Sequence, residues 1–204
     1  RVNTKGLEFY DRLVDALLEA GITPFATLFH WDLPAWLEDL GGFTRRDAVE
    51  HLDFYGRAVF EALGDRVKNW ISLNEPVAHA FNGYLFGSNA PGKRLRFRSA
   101  FAASHYQLLG HARLVKSFRK TGKQGRIGIA NHQMWYTPLR AEDPGDVQVA
   151  RRMDAVSNRL FMEPIFLGRY PEEAVRGFGR FLRGEIEESV SADRGGADCG
   201  GVAR

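Results

Sequence analysis

The sequence predicts an α/β fold with a parallel sheet, and three observations support this prediction. Amphipathic helical segments alternate with short apolar runs along the chain. The runs have the length of strands and are nearly continuous, as in strands covered on both faces. Each run also ends abruptly in polar residues. Because ligands bind at the carboxyl ends of parallel strands, we expect these polar residues to gather at one rim.

The first helix-strand unit lies near the start of the chain. Residues 5–20 carry apolar side chains at helical spacing, and Gly21 follows as a stop signal. The apolar run 22–29 predicts a strand, and His30 and Trp31 follow directly after it.

The second unit repeats the order. Thr44 with Asp47 three residues later predicts a capping box at the start of a helix over 47–63. The run 67–73 predicts the next strand. The polar residues that follow it are Asn74 and Glu75.

The third unit combines a helix over residues 99–119 with a strand over 126–130. Asn131 and His132 come directly after this strand. We therefore expect Asn131 to lie at the same rim as the earlier strand ends.

Composition favours one globular domain. The 204 residues are 44% hydrophobic, and the net charge is only +3. The basic cluster "KRLRFR" at 93–98 is interpreted as a solvated loop, so we expect no nucleic-acid partner. With no signal peptide or spanning segment visible and a single Cys199, the sequence predicts a cytoplasmic protein without a membrane partner.

Local chemistry leaves two interpretations of Glu75. It is either an acid favoured by the positive end of a helix dipole, or a partly desolvated general acid at a strand end. Trp31 and Trp70 are candidates for an apolar wall around it, and Pro76 stiffens the following turn.

A family resemblance favours the second interpretation. The segments "TLFHWDLPAWLEDLGGF", "FYGRAVFEALGDRVKNWISLNEP", "GYLFGSNAPG" and "FLGRYPEE" resemble glycoside hydrolase family 1, the β-glucosidase and β-galactosidase group. The resemblance runs from about Val2 to Glu173. It implies a partial (β/α)8 TIM barrel, roughly the third to fifth strand-helix units, and a retaining exo-β-glycosidase that acts on terminal β-linked sugars.

The resemblance also implies roles for five residues and no cofactor or metal. Glu75 is the general acid/base, and Asn74 binds the sugar 2-hydroxyl. His30 and Trp31 grip the sugar around its 3-hydroxyl. Asn131 takes the place of a strand-end Asn that contacts the substrate.

The chain also departs from the family pattern. The attacking carboxylate of the family belongs to a Thr-Glu-Asn-Gly segment, and no such segment occurs here. A minimal (β/α)8 barrel needs roughly 250 residues. We therefore expect a truncated barrel over residues 1–190 and a Gly/Ala-rich tail without assigned structure over 191–204.

Three functional hypotheses stay open. The chain is part of a family 1 β-glycosidase, a non-catalytic carbohydrate-binding partial barrel, or a different barrel enzyme that pairs Asp32 with Glu75.

Asp32 is interpreted as a loop-anchoring acceptor, and Trp36 as packing rather than a sugar platform. Packing roles are favoured over metal binding for His51, His105 and His111, whereas His79 and His132 lie nearer the rim and are candidates to touch substrate.

Overall fold

A computed structural model describes residues 2–177 and residue 179 of the chain. The described residues form two compact units, which we name by their content. Of the described residues, the sheet unit comprises 2–75 and 109–130, and the helical unit comprises 76–108, 131–177 and 179. The predicted tail over 191–204 lies outside the described residues, so the division at residue 190 stays a prediction.

Helices and strands alternate through most of the described chain. In order they are α1 (Thr4–Glu19), β1 (Phe25–Phe29), α2 (Ala35–Asp39), a 3-10 turn (Gly42–Thr44), α3 (Asp47–Leu63), β2 (Asn69–Asn74), a π-helical segment (Ala78–Phe86), α4 (Phe97–Lys120), β3 (Arg126–Ala130), α5 (Pro144–Asp154), a π-helical turn (Ala155–Arg159) and α6 (Leu160–Leu167).

The sheet is parallel, as the alternation of helices and strands predicts. Its strand order is β1-β2-β3, and β2 pairs in parallel with both neighbours. Helix α3 connects β1 to β2, and helix α4 connects β2 to β3. The predicted helices and strands of all three units are confirmed, with ends that differ by up to three residues.

The prediction that every strand is buried on both faces is wrong for the two outer strands. In β1, Phe25 is 68% exposed, and β3 is nowhere fully buried. Each outer strand has one paired neighbour among the described residues, whereas β2 has two. Burial on both faces therefore depends on a complete sheet, which a single strand's sequence does not reveal.

Aromatic packing between β2 and the helices forms the core of the sheet unit. The Trp70 ring packs edge-on against Phe60 of α3, with centroids 5.1 Å apart, and lies 6.4 Å from Phe118 of α4. All three side chains are at most 4% exposed. Arg66 after α3 forms ion pairs with Asp11 and Asp15, which attaches α1 to the unit.

The predicted capping box at the start of α3 is wrong. Thr44 ends the 3-10 turn, and its hydroxyl donates to the carbonyl of Gly41 at 2.6 Å. The residue that precedes α3 is Arg46, which makes no side-chain capping bond. A nearby backbone carbonyl therefore competes successfully for the hydroxyl, as is common for short polar side chains.

The helical unit is built around the π-helical segment. Phe81 of this segment packs edge-on against Phe101 of α4 and Phe161 of α6, at 5.9 and 6.1 Å between centroids. Elsewhere in the unit, Nδ1 of His105 lies 2.7 Å from the hydroxyl of Tyr170. Burial raises the pKa of Tyr170, so this hydroxyl stays protonated and available as a donor.

Candidate active site

Polar residues follow the carboxyl ends of all three strands at one edge of the sheet. In the parallel register, Phe29 of β1 is opposite Leu73 of β2, and Asn74 is opposite Ala130 of β3. His30 and Glu75 therefore directly follow neighbouring strand ends in the sheet unit. The strand-end prediction placed them at this edge.

Three of the predicted residues contact one another there. The side-chain amide nitrogen of Asn74 lies 3.1 Å from Nε2 of His30. Since an amide NH₂ can only donate, Nε2 accepts and the proton of a neutral His30 ring is on Nδ1. The indole Nε1–H of Trp31 donates to the backbone carbonyl of Asn74 at 2.8 Å.

Two residues of the group have left-handed backbone conformations, which are unfavourable for residues other than glycine. The φ angle is 78° at Trp31 and 43° at Glu75. The backbone N–H of Glu75 donates to the carbonyl of Ala130 at 2.7 Å, so the strained residue is tied to the next strand. Such strain collects at functional sites, where the surrounding structure holds a side chain in one direction.

An irregularity in β2 also affects the direction of the residues that follow the strand. The pairing of β2 with β3 is irregular between Ile71 and Asn74, just before Glu75. A bulge of this kind bends a strand and re-aims the side chains that follow. Glu75 itself is half-buried, so its carboxyl can exchange a proton with a molecule bound at the rim.

Asn131 belongs to the helical unit and directly follows β3. Its side-chain NH₂ donates to the sulfur of Met162 at 3.2 Å. The amide oxygen is buried and has no hydrogen-bond partner in the described part of the chain. A buried acceptor without a partner is costly, which marks Asn131 as a residue that a neighbouring donor would stabilise.

Trp70 and Trp36, which were expected to line Glu75 and to pack, respectively, have different surroundings. Trp70 is not a wall around Glu75, because its ring faces Phe60 and Phe118 in the helices of the sheet unit. Trp36 is 54% exposed, and its ring packs edge-on against His51 at 5.2 Å between centroids.

The histidines outside the site have mostly structural contacts. His111 is buried, with Nδ1 2.7 Å from the hydroxyl of Ser72. The expectation that His79 touches substrate from the rim is wrong, because this side chain is only 1% exposed. His132 is exposed. Within the described ranges, no cluster of His, Cys, Asp and Glu could hold a metal ion.

The bond from the Trp31 indole to the Asn74 carbonyl is not predictable from the sequence. The two residues are 43 positions apart, and only strand pairing brings them together. Asp32 acts as expected, since its carboxylate accepts from the backbone N–H of His30 at 3.4 Å.

None of the helices in residues 2–177 is long and apolar enough to cross a membrane. A cytoplasmic location stays a prediction.

Comparisons with known proteins agree with the predicted family. The family model for glycosyl hydrolase family 1 matches residues 1–193. β-Glucosidase A of Thermotoga maritima is 45% identical over 192 residues, which are 94% of this chain and 43% of the relative. Thermostable β-glucosidase B of Thermobispora bispora is 45% identical over 175 residues, covering 86% of this chain and 35% of the relative.

Solved structures agree as well. The β-glucosidase from Thermotoga maritima in complex with glucoimidazole superposes with a TM-score of 0.88 at 44% identity, over 94% of this chain and 43% of that one. The described strands and helices are thus part of a (β/α)8 barrel, as predicted, and the chain spans less than half the length of the relatives it matches. With the matched residues, the superposed fold and the identity in agreement, the chain belongs to glycosyl hydrolase family 1.

Proposed function

We propose that this chain carries the acid/base half of a retaining exo-β-glycosidase site, which hydrolyses terminal β-linked sugars in the manner of a β-glucosidase. The observation that carries the proposal is the group at the ends of β1 and β2: His30, Trp31, Asn74 and Glu75. Its hydrogen bonds join neighbouring strands, and two of its residues, Trp31 and Glu75, have left-handed backbone conformations at the strand ends.

Glu75 is the general acid/base of this proposal. A half-buried carboxyl next to a strand end can deliver a proton to the leaving glycosidic oxygen and later take one from water. The bond from the Glu75 N–H to Ala130 fixes the backbone from which the carboxyl extends, so the main chain does not have to be ordered when substrate binds.

Asn74 and His30 bind the sugar hydroxyls in the proposed site. The Asn74 amide, now 3.1 Å from His30, has a second N–H that can donate to a 2-hydroxyl. A contact to this hydroxyl strengthens in the oxocarbenium-like transition state. The family resemblance also implies a substrate contact for Asn131, which belongs to the helical unit.

Retaining hydrolysis needs a second carboxylate roughly 5 Å from the acid/base to attack the anomeric carbon. The family segment that supplies it, Thr-Glu-Asn-Gly, does not occur in this sequence. We therefore assign the complete reaction to a barrel in which this chain is combined with such a segment.

The test is a complete barrel. The chain is fused to those parts of the Thermotoga maritima β-glucosidase that it does not span, and Glu75→Gln is compared with the parent fusion. Two substrates are used: cellobiose, whose leaving group needs a proton, and a dinitrophenyl β-glucoside, whose leaving group does not. We expect a loss of about 10²–10⁴-fold in kcat/KM on cellobiose and a much smaller loss on the aryl glucoside.

Azide provides an independent readout of the same role. As an anion, azide attacks the anomeric carbon of the glycosyl-enzyme without a general base and displaces the enzyme carboxylate. On the dinitrophenyl β-glucoside it should therefore restore turnover of the Glu75→Gln fusion and give β-glucosyl azide. Glu61→Gln is the matched control, because this carboxyl is largely exposed on α3. Equal losses on both substrates, or a similar loss in the Glu61 control, would contradict the acid/base role. Binding of glucoimidazole without turnover would favour a non-catalytic sugar-binding protein.

A further inference from the structure

Charge is unevenly distributed along the chain. Residues 76–141 contain eleven Lys and Arg and no Asp or Glu, although the whole chain has 28 basic and 25 acidic residues. Helix α4 lies within this stretch and carries five of these cations without one acid. Its outer face is therefore strongly basic.

A groove in the sheet unit collects part of this charge. It has a volume of about 290 Å³ and lies between helices α3 and α4. Its lining residues are Glu50, Asp53, Arg57, Arg113, Lys116, Ser117 and Lys120. Four cations and two carboxylates give the groove a formal charge of +2.

The two carboxylates are already engaged by the two arginines. Asp53 is buried and accepts from the hydroxyl of Ser117, and its Oδ2 lies 3.3 Å from Nε of Arg57 and 3.7 Å from Nε of Arg113. Arg113 also binds both oxygens of Glu50, at 3.0 and 3.1 Å. These contacts hold the lining side chains in place and pair both carboxylates of the groove with arginines.

Lys116 and Lys120 are the two other cations that line the groove. Neither Lys116 nor Lys120 forms an ion pair within the part of the chain that the structure describes. They are four residues apart in α4, so they share one face, and like charges at this spacing repel each other. The dipole of α4 favours a cation in its last turn, which accounts for Lys120 but not for Lys116.

We propose that this groove binds a compact dianion, either inorganic phosphate or the phosphate group of a small phosphomonoester. A phosphate that bridges the two lysines would remove their repulsion and match the formal charge of +2. Arg57 and Arg113 keep N–H groups that can donate to phosphate oxygens while they hold the carboxylates. The groups involved are exposed to water, so the expected affinity is in the millimolar range.

Titration of the chain with inorganic phosphate, followed by isothermal calorimetry at constant ionic strength in chloride, tests the proposal. Lys116→Gln/Lys120→Gln should weaken binding about tenfold or more, since both bridging charges are lost. The matched control is Arg119→Gln/Arg126→Gln, which removes the same charge from exposed residues of the sheet unit outside the groove. This control should bind phosphate within about twofold of the parent chain.

Glucose 6-phosphate and sulfate distinguish the source of the dianion. Equal affinity for phosphate and glucose 6-phosphate indicates a site that recognises the dianion alone. A preference for glucose 6-phosphate indicates that the ligand is a phosphorylated small molecule. Sulfate that binds as well as phosphate supports recognition of charge and shape. The proposal is overturned by the absence of saturable binding of any of the three anions, or by equal weakening in both double variants. Circular dichroism of both variants checks that the fold is retained.

Discussion

The side-chain amide of Asn74 lies 3.1 Å from Nε2 of His30, a residue 44 positions earlier in the sequence. This contact joins the ends of two neighbouring parallel strands. It also fixes one N–H of the Asn74 amide and leaves the other for a ligand.

The first prediction concerns this second N–H. In the complete fusion barrel, Asn74→Ala should lower kcat/KM for an aryl β-glucoside by about 10²–10³-fold, the usual cost of losing one donor that acts in the transition state. The same change should have little effect on the 2-deoxyglucoside, because the partner hydroxyl is absent. Asn69→Ala, at the other end of β2, is the control. An equal loss on both substrates would show that Asn74 acts through the fold rather than through the sugar.

The second prediction concerns the chain without further segments. It should hydrolyse an aryl β-glucoside at or near the background rate, because its sequence lacks the Thr-Glu-Asn-Gly segment. Without an attacking carboxylate there is neither a covalent intermediate nor charge stabilisation of the oxocarbenium ion. A chromogenic assay with Glu75→Gln as control measures this. Robust hydrolysis that depends on Glu75 would reveal a second carboxylate, and Asp32 would be the first residue to replace.

The third prediction concerns the exposed edges of the sheet. Outer strands with unpaired backbone groups promote association, and Phe25 of β1 is 68% exposed. We expect the chain to associate as its concentration rises, which sedimentation velocity measures. Phe25→Lys should reduce association, because a charge on an edge strand opposes pairing with another chain.

Phe54→Lys is the matched control for this third prediction, since Phe54 is an exposed aromatic on a helix. Equal improvement by both changes would attribute the association to net charge instead of the strand edge. A monomeric chain with a cooperative unfolding transition of high stability would contradict the prediction altogether.

The fourth prediction concerns pH. Burial lowers the pKa of His111 to about 4 from 6.5. Below pH 6.5 the unfolded chain binds a proton at this residue that the folded chain does not bind. The corresponding stability is complete above pH 6.5 and is lost as pH falls toward 4, by about 3 kcal/mol in total.

His111→Gln should remove this contribution, since glutamine does not titrate and can still bond to Ser72, the present partner of His111. Urea unfolding at several pH values measures the slope of stability against pH. The slope between pH 4 and 6.5 should become shallower in this variant and stay unchanged in the His51→Gln control, whose side chain is exposed. An unchanged slope in His111→Gln would show that His111 does not couple folding to pH.

The fifth prediction concerns the contact between α3 and α4. A Cβ atom on Gly56 would overlap with Cδ2 of Leu114, a side chain that is fully buried. Gly56→Ala should therefore destabilise the chain by about 1–3 kcal/mol, although alanine is the better helix former. In a double-mutant cycle, Leu114→Ala should make room and reduce the cost of Gly56→Ala. Additive losses would show that the two positions do not compete for space.

The helices, the strands and the residue types at the strand ends could all be predicted from the sequence. These features depend on local patterns: the helical spacing of apolar residues over 5–20, the short apolar run before His30 and the run before Asn74. The motif around Glu75 also identified the family, because its residues are close together in the sequence.

The contacts among these residues could not be predicted, because they depend on how the chain folds in three dimensions. The bond from the Trp31 indole to Asn74 depends on the pairing of β1 with β2, and Glu75, which has a left-handed backbone, bonds through its N–H to Ala130 in β3. The direction of Trp70 toward the helices and the burial of His79 also follow from packing. Local sequence patterns carry no information on strand register or on which side chains fill a given space, because both are set by partners far away along the chain.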